Sequence, residues 1–154
     1  MNMEERIEMA VSLFKEGFNC SQSVVAAFAD KFGFKREQAL KMSASFGGGI
    51  GRMRETCGAA CGLFLLAGLE TGATEGSDSA GKAANYALVQ ELAEVFKERN
   101  GALRCADLLG LSKKEPVVST PEARTEQYYK KRPCVKMVEE AARIRCEYLQ
   151  KQEK

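Results

Sequence analysis

The stretch TCGAACGLFLLAGL, Thr56 to Leu69, carries no charged residue and is apolar on every side. A helix that is hydrophobic all round has to be buried, either in a protein core or in a bilayer. A bilayer span needs roughly 18 to 20 apolar residues, and this stretch is shorter and interrupted by Gly58, Gly62 and Gly68. It therefore predicts a central helix, opened by Thr56 as N-cap and surrounded by amphipathic helices. Upstream, Glu4 to Glu16 puts Ile7, Ala10, Val11 and Phe14 on one stripe and stops at Gly17. Asn19 followed by Gln22 is a capping-box pattern for a second helix, whose stripe of Val24, Ala27 and Phe28 runs on to Gly33. A third helix is expected from Lys35 to Ser45. Beyond it Gly47, Gly48, Gly49 and Gly51 cannot sustain a helix and predict a tight loop.

Downstream, Gly72 to Gly76 reads as a turn, and Ser77 or Asp78 caps a longer helix. Its inner stripe is Ala84, Leu88, Leu92 and Val95, and Asn100 with Gly101 stops it. Cys105 to Leu109 is a short helix closed by Gly110. Thr120 and Pro121 open a segment to about Lys130, and Pro133 takes the first helical position of a last helix with Val135, Val138, Ala142 and Leu149 facing inward. Leu111 to Ser119 reads as the one extended loop, and no strand is supported beyond the brief Val117 and Val118 pair. The expected fold is all-α, a single domain over residues 1–154, built as a helical bundle of about six to eight helices.

At 154 residues the chain can bury a sizeable core, so six cysteines are not needed as staples. Lys and Arg number 23 against 21 Asp and Glu, a formal charge of +2, which argues against a basic nucleic-acid binder. The count of His is zero. That removes Ser-His-Asp and Cys-His nucleophiles, His general bases, and zinc sites of the Cys2His2 and HExxH types. The first twenty residues mix Glu, Arg and Lys with apolar residues and lack an uninterrupted hydrophobic region, so a cytoplasmic chain with no membrane segment is expected. There, thiols stay reduced, and cysteines are more often metal ligands or redox groups than structural bridges.

No CxxC pair announces a zinc ribbon or ferredoxin. The regularity lies elsewhere: Cys20 follows the Asn19 cap, Cys57 follows Thr56, Cys105 opens the short helix and Cys134 follows Pro133. Backbone N–H groups and the positive end of the dipole at a helix start favour thiolate over thiol. Cys20 and Cys57 are thus expected to ionise below the ordinary thiol value of about 8.5. If the four helix starts converge, they form one partly buried thiolate site. Cys146, on the Val138, Ala142 and Leu149 side of the last helix, reads as core. Cys61 shares a helical face with Cys57, yet Cβ atoms one turn apart stand about 5 to 6 Å from each other, too far for an unstrained disulfide.

The run from Phe46 through Gly47, Gly48, Gly49, Ile50, Gly51, Arg52, Met53, Arg54, Glu55 and Thr56 to Cys57, Gly58, Ala59, Ala60, Cys61 and Gly62, preceded by Asn19 to Ser23, resembles the C_GCAxxG_C_C family of redox-active proteins. The resemblance extends over roughly Cys20 to Val138. Its C-G-A-x-x-G element is Cys57, Gly58, Ala59 and Gly62, and the other family cysteines correspond to Cys20, Cys105 and Cys134. The resemblance implies redox activity; related domains occur beside cytochrome modules, where an iron–sulfur role has been inferred. On that basis Cys20, Cys57, Cys105 and Cys134 are the expected redox-active thiols and metal ligands, with Cys61 a candidate fifth ligand and Gly58 and Gly62 at the cofactor. Cys61 and Cys146 are additions to the family pattern.

The GGGIGR loop follows no strand and lacks a Lys-Ser or Lys-Thr pair, so it is read as shaping the approach to Cys57 rather than as a nucleotide cradle. Arg52, Arg54 and Glu55 either tune thiolate charge, meet an anionic partner, or are simply solvated. Tyr128 to Arg132 reads as a solvated helix end. Three functions stand side by side. One is electron transfer by an iron–sulfur cluster or other soft metal held by the four thiolates, in contact with a redox partner protein. The second is thiol–disulfide exchange by a Cys pair with no cofactor, and the third a helical binding module with core cysteines.

Overall fold

A computed structural model of the chain describes residues 1–111 and 116–153. Among the described residues there are eight α-helices and no strand. Part of the expected Leu111 to Ser119 loop, at 112–115, lies outside the described residues. The central helix is present as α4, Gly58–Thr71, with Gly58 to Leu63, Leu66 and Ala67 buried. Three helices close around it: α2 (Cys20–Ala26), α5 (Ser79–Asn100) and α8 (Cys134–Gln152). Helix α1 (Met3–Lys15) lies on α2 and α8. Phe14, Val24, Phe28, Leu63, Leu66, Phe96 and Val138 fill the space between them.

The α2–α4 approach is set by glycine. A Cβ on Gly62 would stand 2.9 Å from Val24 Cβ and 3.1 Å from the Ser21 carbonyl oxygen, so the two helices touch through bare backbone. Asn19 caps α2 with the predicted box, its side chain accepting from Gln22 N–H at 2.9 Å while Gln22 returns the bond to Asn19 N–H at 3.1 Å. Gly17, Gly33, Gly101 and Gly110 all sit at positive φ, as the helix stops require.

Several boundaries move. Helix α2 ends at Ala26, and a separate 3-10 turn, Ala29–Phe32, leads to Gly33. Helix α3 is Arg36–Ser43, followed by another 3-10 turn, Ala44–Phe46. Thr56 is not the cap of α4; it pairs with Arg104 in an isolated antiparallel bridge, and Cys57 itself is the N-cap. The segment expected from Thr120 is helical only as α7, Glu126–Lys131, capped by Thr125. Residues 121–124 have no helix, and the Arg124 guanidinium is fastened to the Phe14 and Phe18 carbonyl oxygens at 2.7 and 3.0 Å. Pro133 is the N-cap of α8 rather than its first residue. In α5, capped by Asp78, Ala84 is exposed, and Leu92 and Phe96 are the buried pair.

Two buried arginines do not follow from periodicity. Arg6 forks onto Asp30 at 2.8 and 3.0 Å and onto the Ala27 carbonyl oxygen at 2.9 Å, over the Phe28 ring. Arg145 is fully buried, 3.5 Å from Glu70 and between Phe32 and Tyr148. Cys146 is buried beside α1, its thiol donating to the Met3 carbonyl oxygen at 3.7 Å. It acts as a small core filler, so Cys146→Ala should cost about 1 kcal/mol in urea unfolding and leave the other thiols' reactivity unchanged. A loss of cavity-thiol chemistry in that variant would give Cys146 a second role.

Candidate functional site

Cys20, Cys57, Cys105 and Cys134 line one cavity of about 440 Å³, together with Gly58, the glycine loop and Arg52, Arg54, Arg124, Tyr128 and Arg132. Each thiol is placed by a different local device. Cys20 is the first residue of α2, behind a cap whose Asn19 amide also donates to the Ala44 carbonyl oxygen at 2.9 Å. Cys57 and Cys105 are brought together by backbone stitching across the Thr56–Arg104 bridge. Cys57 N–H donates to Leu103 O at 2.8 Å and Cys105 N–H to Glu55 O at 2.6 Å. Cys105 opens the short helix α6, Cys105–Leu108. Cys134 opens α8.

The loop before Cys57 is left-handed almost throughout. Gly48, Gly49, Ile50, Gly51, Arg52 and Arg54 all have φ between 57° and 75°. For Ile50, Arg52 and Arg54 this conformation costs about 1–2 kcal/mol each. Arg52 N–H donates to Gly47 O at 3.1 Å, Arg54 N–H to Gly48 O at 3.2 Å and Glu55 N–H to Gly49 O at 2.9 Å, and these bonds hold the coil closed. Gly49 is obligatory for a second reason: a Cβ there would lie 2.6 Å from Cys105 Cβ. The loop also reaches across the cavity, where Arg52 Nη1 donates to the carbonyl oxygens of Val118, at 2.8 Å, and Thr120.

The thiols are not alike. Burial pushes Cys57 up to about 12, although the Ala59 and Ala60 N–H groups at the start of α4 favour its thiolate. The expectation that Cys57 would ionise early is overturned because desolvation of a buried anion outweighs two backbone donors. Cys20 is also raised, first because it hydrogen-bonds with Cys134 and then by burial, against the same expectation. Burial raises Cys105 as well, opposed by Arg54, whose Nη1 donates to its sulfur at 3.6 Å. Cys134 goes the other way, to about 7. The Cys20 thiol hydrogen-bonded to it lowers it most, burial opposes, and the Tyr128 hydroxyl and the Arg132 and Arg124 guanidinium groups add to the lowering. The phenol of Tyr128 is pushed up in turn, chiefly by burial. The neighbours of Cys134 thus favour a thiolate there, and those of Cys20 favour the thiol.

Cys61 lies one turn into α4, its thiol donating to the Thr56 carbonyl oxygen at 3.7 Å, and burial raises it to about 11. It is beside the cavity wall, not in it. Gly58 lines the cavity, with the Cβ of Cys20 3.2 Å from where its own would be, whereas Gly62 serves the α2–α4 contact. All six cysteines are free. Among the described residues, no group of three or more His, Cys, Asp or Glu side chains is arranged to hold a metal ion. The donor chemistry of four thiols suits a soft metal. Their arrangement does not fit one as the side chains stand.

Tyr128, Arg124 and Arg132 are site residues that sequence reasoning missed. For Arg132 a signal was present, two positions before Cys134 within an aromatic and basic run; for Arg124 none was, since its contacts to Phe14 and Phe18 span more than a hundred residues. Arg124 also lies over the Phe14 ring at 4.1 Å and the Tyr128 ring at 5.1 Å, which holds α7 against α1. Among the described residues, no helix is long and apolar enough to cross a membrane.

A family model described as "Putative redox-active protein (C_GCAxxG_C_C)" matches residues 18–148, from just before Cys20 to well inside α8. No curated protein and no solved structure matches the chain.

Proposed function

Because the chain belongs to the C_GCAxxG_C_C family of redox-active proteins, we propose that its redox chemistry is thiol–disulfide exchange, with Cys134 as nucleophile and Cys20 as resolving thiol. The observation that carries this reading is geometric: Cys20 at the start of α2 and Cys134 at the start of α8 line one cavity with Tyr128, Arg124 and Arg132, neighbours that favour a thiolate at Cys134. A nucleophile with a pKa near ambient pH attacks disulfides fastest, because it is ionised without being too weakly nucleophilic.

In the forward direction, the Cys134 thiolate attacks one sulfur of a substrate disulfide. A Cys134–substrate bond forms, the substrate S–S bond breaks, and the first substrate thiolate leaves. Two of the influences that keep Cys20 protonated are its hydrogen bond to Cys134 and the charge on Cys134, and both vanish once Cys134 is capped. Cys20 then gives its proton to the first departing thiolate and attacks the Cys134 sulfur, which breaks the Cys134–substrate bond and releases the second substrate sulfur as a thiolate that takes its proton from solvent. The products are a Cys20–Cys134 disulfide and two substrate thiols, the second proton being the one Cys134 gave to solvent when it ionised. Two electrons have passed from the protein to the substrate, and a dithiol reductant returns them in the next half-cycle.

The test uses anaerobically purified, reduced protein and 2-hydroxyethyl disulfide. One equivalent is expected to be consumed, peptide mass mapping should find the Cys20–Cys134 bridge, and Cys20→Ser should stall as a mixed disulfide on Cys134. A bridge between other cysteines, or no consumption at all, overturns the assignment. The second reading, a soft metal or iron–sulfur centre, is favoured by the convergence of four thiols on one cavity. It predicts stoichiometric iron and acid-labile sulfide, or zinc, in freshly purified protein, lost in Cys57→Ser.

A further inference from the structure

The cavity that holds the thiols carries more positive charge than the thiols need. Arg52, Arg54, Arg124 and Arg132 all line it, and the one carboxylate among the described lining residues, Glu122, is already taken by Arg132 at 2.7 Å. Among the described residues, no carboxylate pairs with Arg52, Arg54 or Arg124. The guanidinium groups also crowd one another: Arg52 is lowered first by burial and then by Arg54 and Arg132. A protein does not hold like charges at one concave wall without compensation, and such a wall concentrates anions in front of it.

The roles of these arginines divide. Arg124 and Arg132 stabilise the Cys134 thiolate, and Arg54 donates to Cys105. Arg52 does neither. Its Nη1 binds the Val118 and Thr120 carbonyl oxygens, and among the described residues its Nη2 and Nε have no acceptor. It is held in the wall by the left-handed loop and by those two carbonyls, a rigid cation with no thiol of its own. The cavity, at about 440 Å³, is of small-molecule size.

We infer that the disulfide taken by this site is a small one bearing carboxylates, with Arg52 as the residue that selects for the anionic end. This rests on the exchange chemistry proposed above and names the substrate class for it. A carboxylate on the substrate would accept from the Arg52 N–H groups that no described residue takes, and in doing so would orient the scissile bond toward Cys134.

Three disulfides differing in charge test it: 3,3′-dithiodipropionate, 2-hydroxyethyl disulfide and cystamine. Each rate of Cys134 capping is divided by the rate of the same disulfide with free cysteine, which removes differences in leaving-group reactivity. The normalised rate should be about tenfold higher for the dianion than for the neutral compound, and lowest for the dication. Added salt should compress the series. Arg52→Gln should bring the anionic and neutral rates together, Arg52→Lys should retain most of the difference, and in both the pH midpoint of Cys134 alkylation should stay in place. Equal normalised rates in the unmodified protein, or a preference that survives Arg52→Gln, overturns the inference while leaving the exchange reading intact. Calorimetric titration of dithiodipropionate into Cys134→Ser, which lacks the proposed nucleophile, separates the remaining case. If no disulfide reacts, saturable, salt-sensitive binding there supports the anionic site, and absence of binding removes it.

Discussion

Cys134→Ser is expected to lower the rate of disulfide consumption about a thousandfold or more, while the helical circular dichroism is retained. Serine keeps the volume of the side chain, but its hydroxyl stays protonated near neutral pH and offers no comparable nucleophile. Cys134 is only partly buried and opens α8 rather than filling the core, so the exchange costs little packing. The companion measurement is alkylation against pH. In the reduced protein the most reactive thiol should be Cys134, with a midpoint near the value of about 7 to which its neighbours bring it. Cys57, raised to about 12, should stay silent through that range. Tyr128→Phe removes one donor to the Cys134 sulfur and should move the midpoint upward. If Cys134→Ser retained full exchange, the nucleophile would have to be sought among the other cavity thiols.

Gly49→Ala should be the most damaging single-methyl change in the chain, at about 3 kcal/mol or more. Two costs combine there. The residue has φ of 75°, and the added Cβ would meet Cys105 Cβ at 2.6 Å and the backbone of Arg54 and Glu55 at 2.7 Å. Both backbone positions are held in place, because the Arg54 and Glu55 carbonyl oxygens accept from the Ala106 and Cys105 N–H groups in the stitching that aligns Cys57 with Cys105. Gly51→Ala is the internal comparison. It shares the left-handed conformation, with φ of 57°, but nothing lies within 4 Å of its Cβ position, so only the backbone strain of about 1–2 kcal/mol remains. Urea unfolding of the two variants reads the difference. Equal losses would mean that packing against Cys105 is not what reserves position 49 for glycine.

The fold was legible from sequence because its signals are local. An uncharged apolar stretch forced α4 into the centre, and the Asn19 and Gln22 box started α2 where the pattern placed it. Left-handed glycines ended α1, α5 and α6. These are interactions between residues at most a few positions apart, and the order of residue types states them. The four cysteines at or beside helix starts were legible for the same reason, and so was the family, whose model matches residues 18–148.

What the tertiary structure alone decided is the chemistry of each thiol. A helix start favours a thiolate, and by that rule Cys20, Cys57, Cys105 and Cys134 should have behaved alike. Burial and distant neighbours separated them, because the penalty for an ion in a dry site and the gain from a guanidinium depend on which surfaces meet, not on where a helix begins. Thus burial pushes Cys57 up despite two N–H donors, while Cys20, Tyr128, Arg132 and Arg124 together bring Cys134 down. The same holds for Arg6 and Arg145, which a pattern of apolar and polar residues assigns to the surface. They lie inside because Asp30 and the Ala27 carbonyl oxygen in one case, and Glu70 with two aromatic rings in the other, come from helices and turns far away in the chain.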